Sequence, residues 1–192
     1  MKLFKKLLII IFSIAIIATA SIYAIWHNEI ATVASIKTII NQDLSHDDGY
    51  TYEMYVSGDY YFEDFLKQGG ATNDAELIQF VTDHITKGLI PMTIKSKEIA
   101  CSSFTAWTED NKFVFGRNYD FDQTNTAIVH TSPKGRHASI STIDLQFLGI
   151  KEETGISSIK EKALLLAAPY IPLDGINDAG VACGIYMTYQ GD

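Results

Sequence analysis

The stretch that decides the fold is residues 97–121, KEIACSSFTAWTEDNKFVFGRNYDF. Two short runs rich in β-forming residues, 101–107 and 112–118, are separated by the polar sequence Thr-Glu-Asp-Asn. This pattern predicts an antiparallel β-hairpin. The end of the second strand of a hairpin returns beside the start of the first. We therefore expect Arg117 and Asp120 to lie close to Cys101.

Cys101 is the residue with the most reactive chemistry in this stretch, and the sequence leaves three interpretations of it. It is a structural thiol, free or bridged to Cys183, the other cysteine of the chain. It is the nucleophile of a cysteine/histidine protease, with His130 or His137 as base. Or it becomes a nucleophile when the bond between Ala100 and Cys101 is cut, which frees its α-amine.

The third interpretation makes one residue both nucleophile and base. A thiol attacks as thiolate and requires a base or a cation nearby. An α-amine has an unperturbed pKa of about 7.7 to 8.0, which suits proton transfer near neutral pH. Arg117 is the candidate cation and Asp120 the candidate carboxylate to hold the amine. An ordinary surface ion pair between these two side chains is the alternative.

The N-terminal residues 1–26 predict a targeting segment. Lys2, Lys5 and Lys6 precede a long uncharged, largely apolar run to Trp26, about the length that crosses a bilayer. The small-x-small pattern at 18–20 is typical of a cleaved signal peptide, whereas the apolar residues after it favour a permanent anchor. Either way, the remainder of the chain is expected outside the cytoplasm.

Composition excludes several classes of function. The 192 residues carry a net charge of −8, and no basic run lies outside the N-terminus, so nucleic-acid binding is not expected. The five histidines are scattered and no Cys-x-x-Cys occurs, so no metal site and no cofactor are expected.

Local patterns predict several further elements. Asn73 with Glu76 predicts a helix capped at its start and running to Ile85, and Ser158 with Glu161 predicts a second one through Ala168. Strands are expected at 127–131, at 137–147 and in VACGIYMTY (181–189), where Cys183 is expected to be buried. The aromatic stretch 50–65 is expected to be a loop or a short hairpin about 57–59.

Two motifs resemble the choloylglycine hydrolase family of linear-amide hydrolases, which includes bile-salt hydrolases, penicillin V acylases and acid ceramidase-like enzymes. Mature members begin with Cys, pass through a β-hairpin and enter Gly-Arg-Asn-x-Asp, as residues 101–120 do. DGINDAG at 174–180 is similar to the Asp-Gly-Met-Asn-Glu-x-Gly turn of the family. The resemblance covers about residues 101–189.

The resemblance implies a role for each matching residue. Cys101 is the N-terminal nucleophile, Arg117 is the arginine beside the thiol, and Asp120 orients the α-amine. Asn177 is the turn asparagine whose backbone N–H contributes to an oxyanion hole. The substrate implied is a small-molecule amide.

The same resemblance implies an α+β fold, a four-layer αββα sandwich of the N-terminal-nucleophile type, incomplete in this chain. The family also uses an asparagine and an arginine farther downstream, beyond residue 192. We therefore expect a targeting segment at 1–26, a pro-segment or linked α-subunit at 27–100, and the leading part of a hydrolase domain at 101–192. The alternative function is a non-catalytic extracytoplasmic binding domain or an inactive fragment.

Overall fold

A mixed β-sheet forms the centre of the molecule in a computed structural model that describes residues 2–43, 45, 49–95, 100–120, 124–151 and 153–186. The helices are α1 (Lys2–Ser35), α2 (Phe62–Lys67), α3 (Asp74–His84) and α4 (Ile159–Leu164), with 3₁₀ helices at Leu145–Leu148 and Leu165–Tyr170. The strands are β1 (Lys37–Ile40), β2 (Thr51–Tyr55), β3 (Ala100–Trp107), β4 (Phe113–Asp120), β5 (Thr126–Thr131), β6 (Ser139–Asp144), β7 (Asp174–Asn177) and β8 (Ala182–Gly184).

Six strands form one sheet in the order β1-β2-β5-β6-β7-β8. Only β2 and β5 run parallel, and the other neighbours in this sheet are antiparallel. β3 and β4 form a separate two-stranded sheet. The predicted α+β class is confirmed at this level, and the complete αββα sandwich stays a prediction.

The two faces of the six-stranded sheet carry different layers. Side chains alternate between faces along a strand, and Met54, Val129 and Ile143 point to the same face, where they are buried against the helices. The β3–β4 hairpin lies on the opposite face, where the Tyr119 hydroxyl is 3.3 Å from the Thr142 Oγ1. Helices, sheet and hairpin are therefore three successive layers.

The predicted hairpin at 101–118 is confirmed. Its register pairs Cys101 with Tyr119, Ser103 with Arg117 and Ala100 with Asp120. The predicted helix starts are also confirmed. The Asn73 side chain accepts a hydrogen bond from the Glu76 N–H at 3.0 Å.

Several predicted boundaries were wrong. Residues 50–65 do not form a hairpin: β2 pairs with β5, far along the chain, and α2 follows. The helix after Ser158 ends at Leu164 and continues as a 3₁₀ helix that includes Pro169. The predicted strand 137–147 is shorter, since β6 gives way to a 3₁₀ helix. Cys183 is exposed rather than buried, and residues 187–189 of its predicted strand lie outside the described residues.

α1 has an apolar N-terminal segment and a C-terminal end that packs against the folded domain. Residues Leu3–Ser35 form a helix long and apolar enough to cross a membrane, and its most apolar 18-residue window has a mean hydropathy of 2.6 and is not buried by the rest of the protein. The backbone departs from helical angles at Trp26. Beyond that point Glu29 and Thr32 are buried against the folded domain. The apolar part is compatible with a signal peptide or a membrane anchor.

Candidate active site

The inner face of the hairpin brings Cys101 and Arg117 together. Directly paired residues share a face of a hairpin, so the pairs Cys101–Tyr119 and Ser103–Arg117 point the same way, toward the six-stranded sheet. The Arg117 Nη2 donates a hydrogen bond to the Cys101 Sγ at 3.3 Å. The contact between Arg117 and Cys101 that hairpin geometry predicts is therefore present in the chain with an intact bond between Ala100 and Cys101.

The Arg117 guanidinium is enclosed, with its side chain only 3% exposed. It lies between two aromatic rings, with its Cζ 4.7 Å from the ring centroid of Tyr119 and 4.5 Å from that of Tyr186. Cation–π contacts of this kind stabilise a desolvated cation. Nη2 also donates to the Ile185 carbonyl. These contacts fix the plane of the guanidinium beside the thiol.

Gly184 makes room for this guanidinium. A Cβ added at position 184 would lie 1.8 Å from the Arg117 Nη1 and 2.8 Å from its Cζ. No atom fits at those distances without displacing Arg117. The sequence contained only a weak signal for this requirement, a glycine inside a predicted strand.

Asp174 is a site residue that sequence reasoning missed, although it opens the quoted 174–180 motif. Its Oδ2 is 3.9 Å from the Arg117 Nε, close enough for an ion pair but too long for a hydrogen bond. Its Oδ1 accepts a hydrogen bond from the Thr142 Oγ1 at 2.7 Å.

Burial raises the pKa of Tyr119 and the Asp174 carboxylate raises it further, although the contact with Thr142 opposes the shift. The phenol is therefore neutral near physiological pH.

A small cavity adjoins Arg117. It has a volume of about 260 Å³ and is lined by hairpin residues and by β6 and β7, among them Phe115, Thr142 and Asp174. Among the described residues, the buried Arg117 Nε and Nη1 have no hydrogen-bond acceptor. Donors left unpaired in a buried position favour an acceptor that enters from outside.

A larger cavity lies on the other face of the sheet. Its volume is about 740 Å³, and its lining includes Asn177, Cys183 and Ile185 but neither Cys101 nor Arg117. Arg117 lines the smaller cavity, whereas Cys101 lines neither of the two. The smaller cavity is therefore the space that adjoins the contact between Arg117 and Cys101 through Arg117.

Asp120 is not brought against the thiol. It pairs with Ala100, so its side chain points to the outer face of the hairpin, opposite to that of Cys101. Its carboxylate is exposed and accepts a hydrogen bond from the Asn118 Nδ2 at 2.6 Å. Its predicted contact is with the amine that cleavage would create, and that contact stays a prediction.

Asn177 holds a turn together. Its side-chain Oδ1 accepts hydrogen bonds from the Ala179 and Val181 N–H groups at 3.1 and 2.9 Å. Its own N–H donates to the Val181 carbonyl at 3.0 Å. The N–H that the resemblance assigns to an oxyanion hole is thus engaged within the turn.

Among the described residues, no contact supports a disulfide at Cys101 or a histidine base beside it. Both cysteines are free thiols. His130 is hydrogen-bonded to Glu53, and His137 to Asp178. In the ranges that the structure describes, no three His, Cys, Asp or Glu side chains group as metal ligands.

Comparison of the chain with protein-family models, curated proteins and solved structures gives no match.

Proposed function

We propose that this protein is an exported or membrane-tethered hydrolase of linear carbon–nitrogen amide bonds with Cys101 as its nucleophile. The observation that carries the proposal is the hydrogen bond from a buried arginine, Arg117, to the Cys101 thiol. A cation within hydrogen-bonding distance favours the thiolate over the thiol. Enclosure strengthens the effect because charges interact more strongly away from water.

The chain would first expose its nucleophile. The Cys101 Sγ attacks the Ala100 carbonyl carbon, the bond from that carbon to the Cys101 nitrogen breaks, and the nitrogen takes up a proton. Water then hydrolyses the thioester, which leaves a carboxylate on Ala100 and a free thiol and α-amine on Cys101. Ala100 is small and exposed, so its side chain does not obstruct this attack.

Substrate hydrolysis would repeat the same bond changes on an external amide. The α-amine takes the proton of the thiol, the sulfur attacks the amide carbonyl, and the same proton passes to the leaving amine as the carbon–nitrogen bond breaks. Water then hydrolyses the thioester with the α-amine as base. We assign Asp120 to orient that amine. Asn177 would stabilise the oxyanion only after the bond from its N–H to Val181 opens. No cofactor takes part in these steps.

The substrate is proposed to be a small-molecule amide whose carbonyl reaches the space beside Arg117. The unpaired N–H groups on the Nε and Nη1 of Arg117 favour an oxygen acceptor on that molecule. Bile-salt amides, penicillin V, N-acyl amino acids and fatty acyl amides share this chemistry and form the test panel.

Intact-mass analysis of the exported chain tests the proposal. We expect a fragment whose N-terminus is Cys101 in the native protein and an uncut chain in Cys101→Ala. Hydrolysis of at least one member of the panel is expected only from the cut protein. A Cys183→Ala variant serves as the matched control and should cut and hydrolyse as the native chain does.

An uncut native chain, together with full amide hydrolysis by Cys101→Ala, would contradict the proposal. An uncut chain with no hydrolysis and an unreactive Cys101 would instead support the non-catalytic binding domain.

A further inference from the structure

We infer that Asp174 is a specificity-determining residue, which makes the space beside Arg117 accept a neutral amide group and reject a carboxylate. The inference rests on the proposed function and deepens it, because hydrolysis converts a neutral amide into a carboxylate. A site with this preference binds the substrate more strongly than the acid product.

The hydrogen-bond donors of this space come from Arg117, whose side chain is 3% exposed. Its Nη2 is bonded to the Cys101 Sγ and the Ile185 carbonyl. Within the part of the chain that the structure describes, its Nε and Nη1 have no acceptor. A buried N–H without an acceptor is costly, so an oxygen atom that enters the cavity of about 260 Å³ beside Arg117 would satisfy it.

Arg117 by itself would favour a carboxylate over an amide. The planar guanidinium binds a carboxylate through two parallel, charge-assisted hydrogen bonds, which are stronger than bonds to a neutral oxygen. A second group is therefore needed if the site is to prefer the amide.

Asp174 supplies the opposing charge. Its Oδ2 is 3.9 Å from the Arg117 Nε, and these two residues have the only charged side chains among the described residues that line the cavity. A carboxylate bound to the Nε would lie close to the Asp174 carboxylate, and like charges repel more strongly away from bulk water. A neutral amide avoids this repulsion, and its N–H can donate to Asp174 while its oxygen accepts from Arg117.

Thr142 keeps Asp174 from occupying the Arg117 donors itself. Thr142 and Asp174 are directly paired across β6 and β7, and the Thr142 Oγ1 donates a hydrogen bond to the Asp174 Oδ1 at 2.7 Å. Asp174 thus stays within ion-pair distance of Arg117 but beyond hydrogen-bond distance. Its charge acts on the cavity while the Arg117 N–H groups stay available to a substrate.

Two alkylating reagents test the inference. In both iodoacetamide and iodoacetate, the Cys101 sulfur bonds to the same kind of carbon and iodide leaves. The group next to that carbon is a neutral amide in one reagent and a carboxylate in the other. That group comes within reach of Arg117 because the sulfur under attack is 3.3 Å from the Arg117 Nη2.

The quantity measured is the rate with iodoacetamide divided by the rate with iodoacetate. The full chain carries Cys183→Ala so that only Cys101 reacts. A change in the fraction of thiolate affects both reagents equally and cancels in this ratio. The ratio therefore reports the preference for the neutral group.

Asp174→Asn keeps the shape of the side chain and an acceptor for Thr142 but removes the charge. We expect the ratio to fall by about 5-fold or more, the factor that one unit charge about 4 Å away gives even in bulk water. Asp174→Glu keeps the charge and should keep most of the ratio.

Asp178→Asn is the matched control. It makes the same change in net charge at an exposed carboxylate that is hydrogen-bonded to His137. The ratio should stay at its native value, because Asp178 does not line the cavity. Urea unfolding of every variant shows whether its fold is retained.

The outcomes separate the inference from the proposed function. Equal ratios in Asp174→Asn and the unsubstituted chain overturn the inference. Loss of the native ratio in a folded Asp174→Glu also overturns it, because the charge is then not what discriminates. An uncut chain that hydrolyses no amide but shows the expected ratios overturns the proposed function and leaves the charge preference of the site standing.

Discussion

At the scale of single residues, Arg117 is a buried cation with few hydrogen-bond acceptors around it. Burying an ion is costly unless partners compensate for lost water. The partners here are the Ile185 carbonyl, the Cys101 sulfur, two aromatic rings and, at 3.9 Å, the Asp174 carboxylate. A side chain held at this cost has a fixed position, which is what a group that stabilises a thiolate requires.

Replacing Arg117 should slow the reaction of Cys101 with an alkylating agent. Arg117→Met keeps much of the side-chain length but removes the charge, so we expect alkylation by iodoacetamide at neutral pH to be roughly 10-fold slower. Arg117→Lys keeps the positive charge but lacks the planar guanidinium, so its alkylation rate should lie between those of the unsubstituted and the Arg117→Met chains. The measurement uses a Cys183→Ala background so that only Cys101 reacts. Equal rates in the Arg117→Met and unsubstituted chains would contradict the role given to Arg117.

At the scale of elements, α4 begins with a capping box. The Ser158 Oγ accepts a hydrogen bond from the Glu161 N–H at 3.2 Å, and the Glu161 Oε2 accepts one from the Ser158 N–H at 2.8 Å. Burial opposes ionisation of Glu161, but the hydrogen bonds from Ser157 and Ser158 outweigh it and lower the pKa of that carboxyl. The ionised Glu161 therefore stabilises the folded chain at pH values above the pKa that Glu161 has in the unfolded chain. This contribution is lost as the pH falls through the lower pKa that Glu161 has in the folded chain.

Ser158→Ala should lower the free energy of unfolding by about 1 kcal/mol at neutral pH. The difference from the native chain should shrink in acid, because the Ser158 hydroxyl also donates a hydrogen bond to the Glu161 Oε2 at 3.0 Å and a protonated carboxyl is a weaker acceptor. Urea unfolding at neutral and at acid pH measures both effects. Ser102→Ala, at an exposed position of β3, provides the control. A difference that stays constant with pH would contradict the coupling to Glu161.

At the scale of the whole molecule, the apolar segment and the folded domain are separable. Residues 3–25 are exposed, whereas the helix beyond Trp26 is docked through Glu29 and Thr32. We therefore expect the segment to contribute to location and the docked turns to contribute to stability.

A chain that begins at His27 should leave the membrane fraction and unfold at the same urea concentration as the detergent-extracted full chain. A chain that begins at Lys37 should be less stable, by roughly 1 kcal/mol for each hydrogen bond lost from Thr32, Ser35 and Glu29. Fractionation and urea unfolding of the two shortened chains provide the test. Equal stability of the two would show that the docked turns do not contribute.

The sequence by itself was enough to predict the features that depend on contacts between residues close in the chain. The hairpin, the starts of α3 and α4 and the approach of Arg117 to Cys101 depend on residues no more than about one hairpin apart, so spacing and capping residues were enough to predict them. The apolar N-terminal helix followed from composition alone.

Only the tertiary structure decided the rest, because it depends on contacts between distant segments. The pairing of β2 with β5 makes 50–65 a strand and a helix instead of a hairpin. The approach of Asp174 and Gly184 to Arg117 depends on how the hairpin lies on the sheet, which no local pattern encodes. The same packing decides which face of the hairpin lies against the sheet, and Asp120 is on the other face. Side-chain direction in a sheet is set by register, and register is a property of the paired strands together.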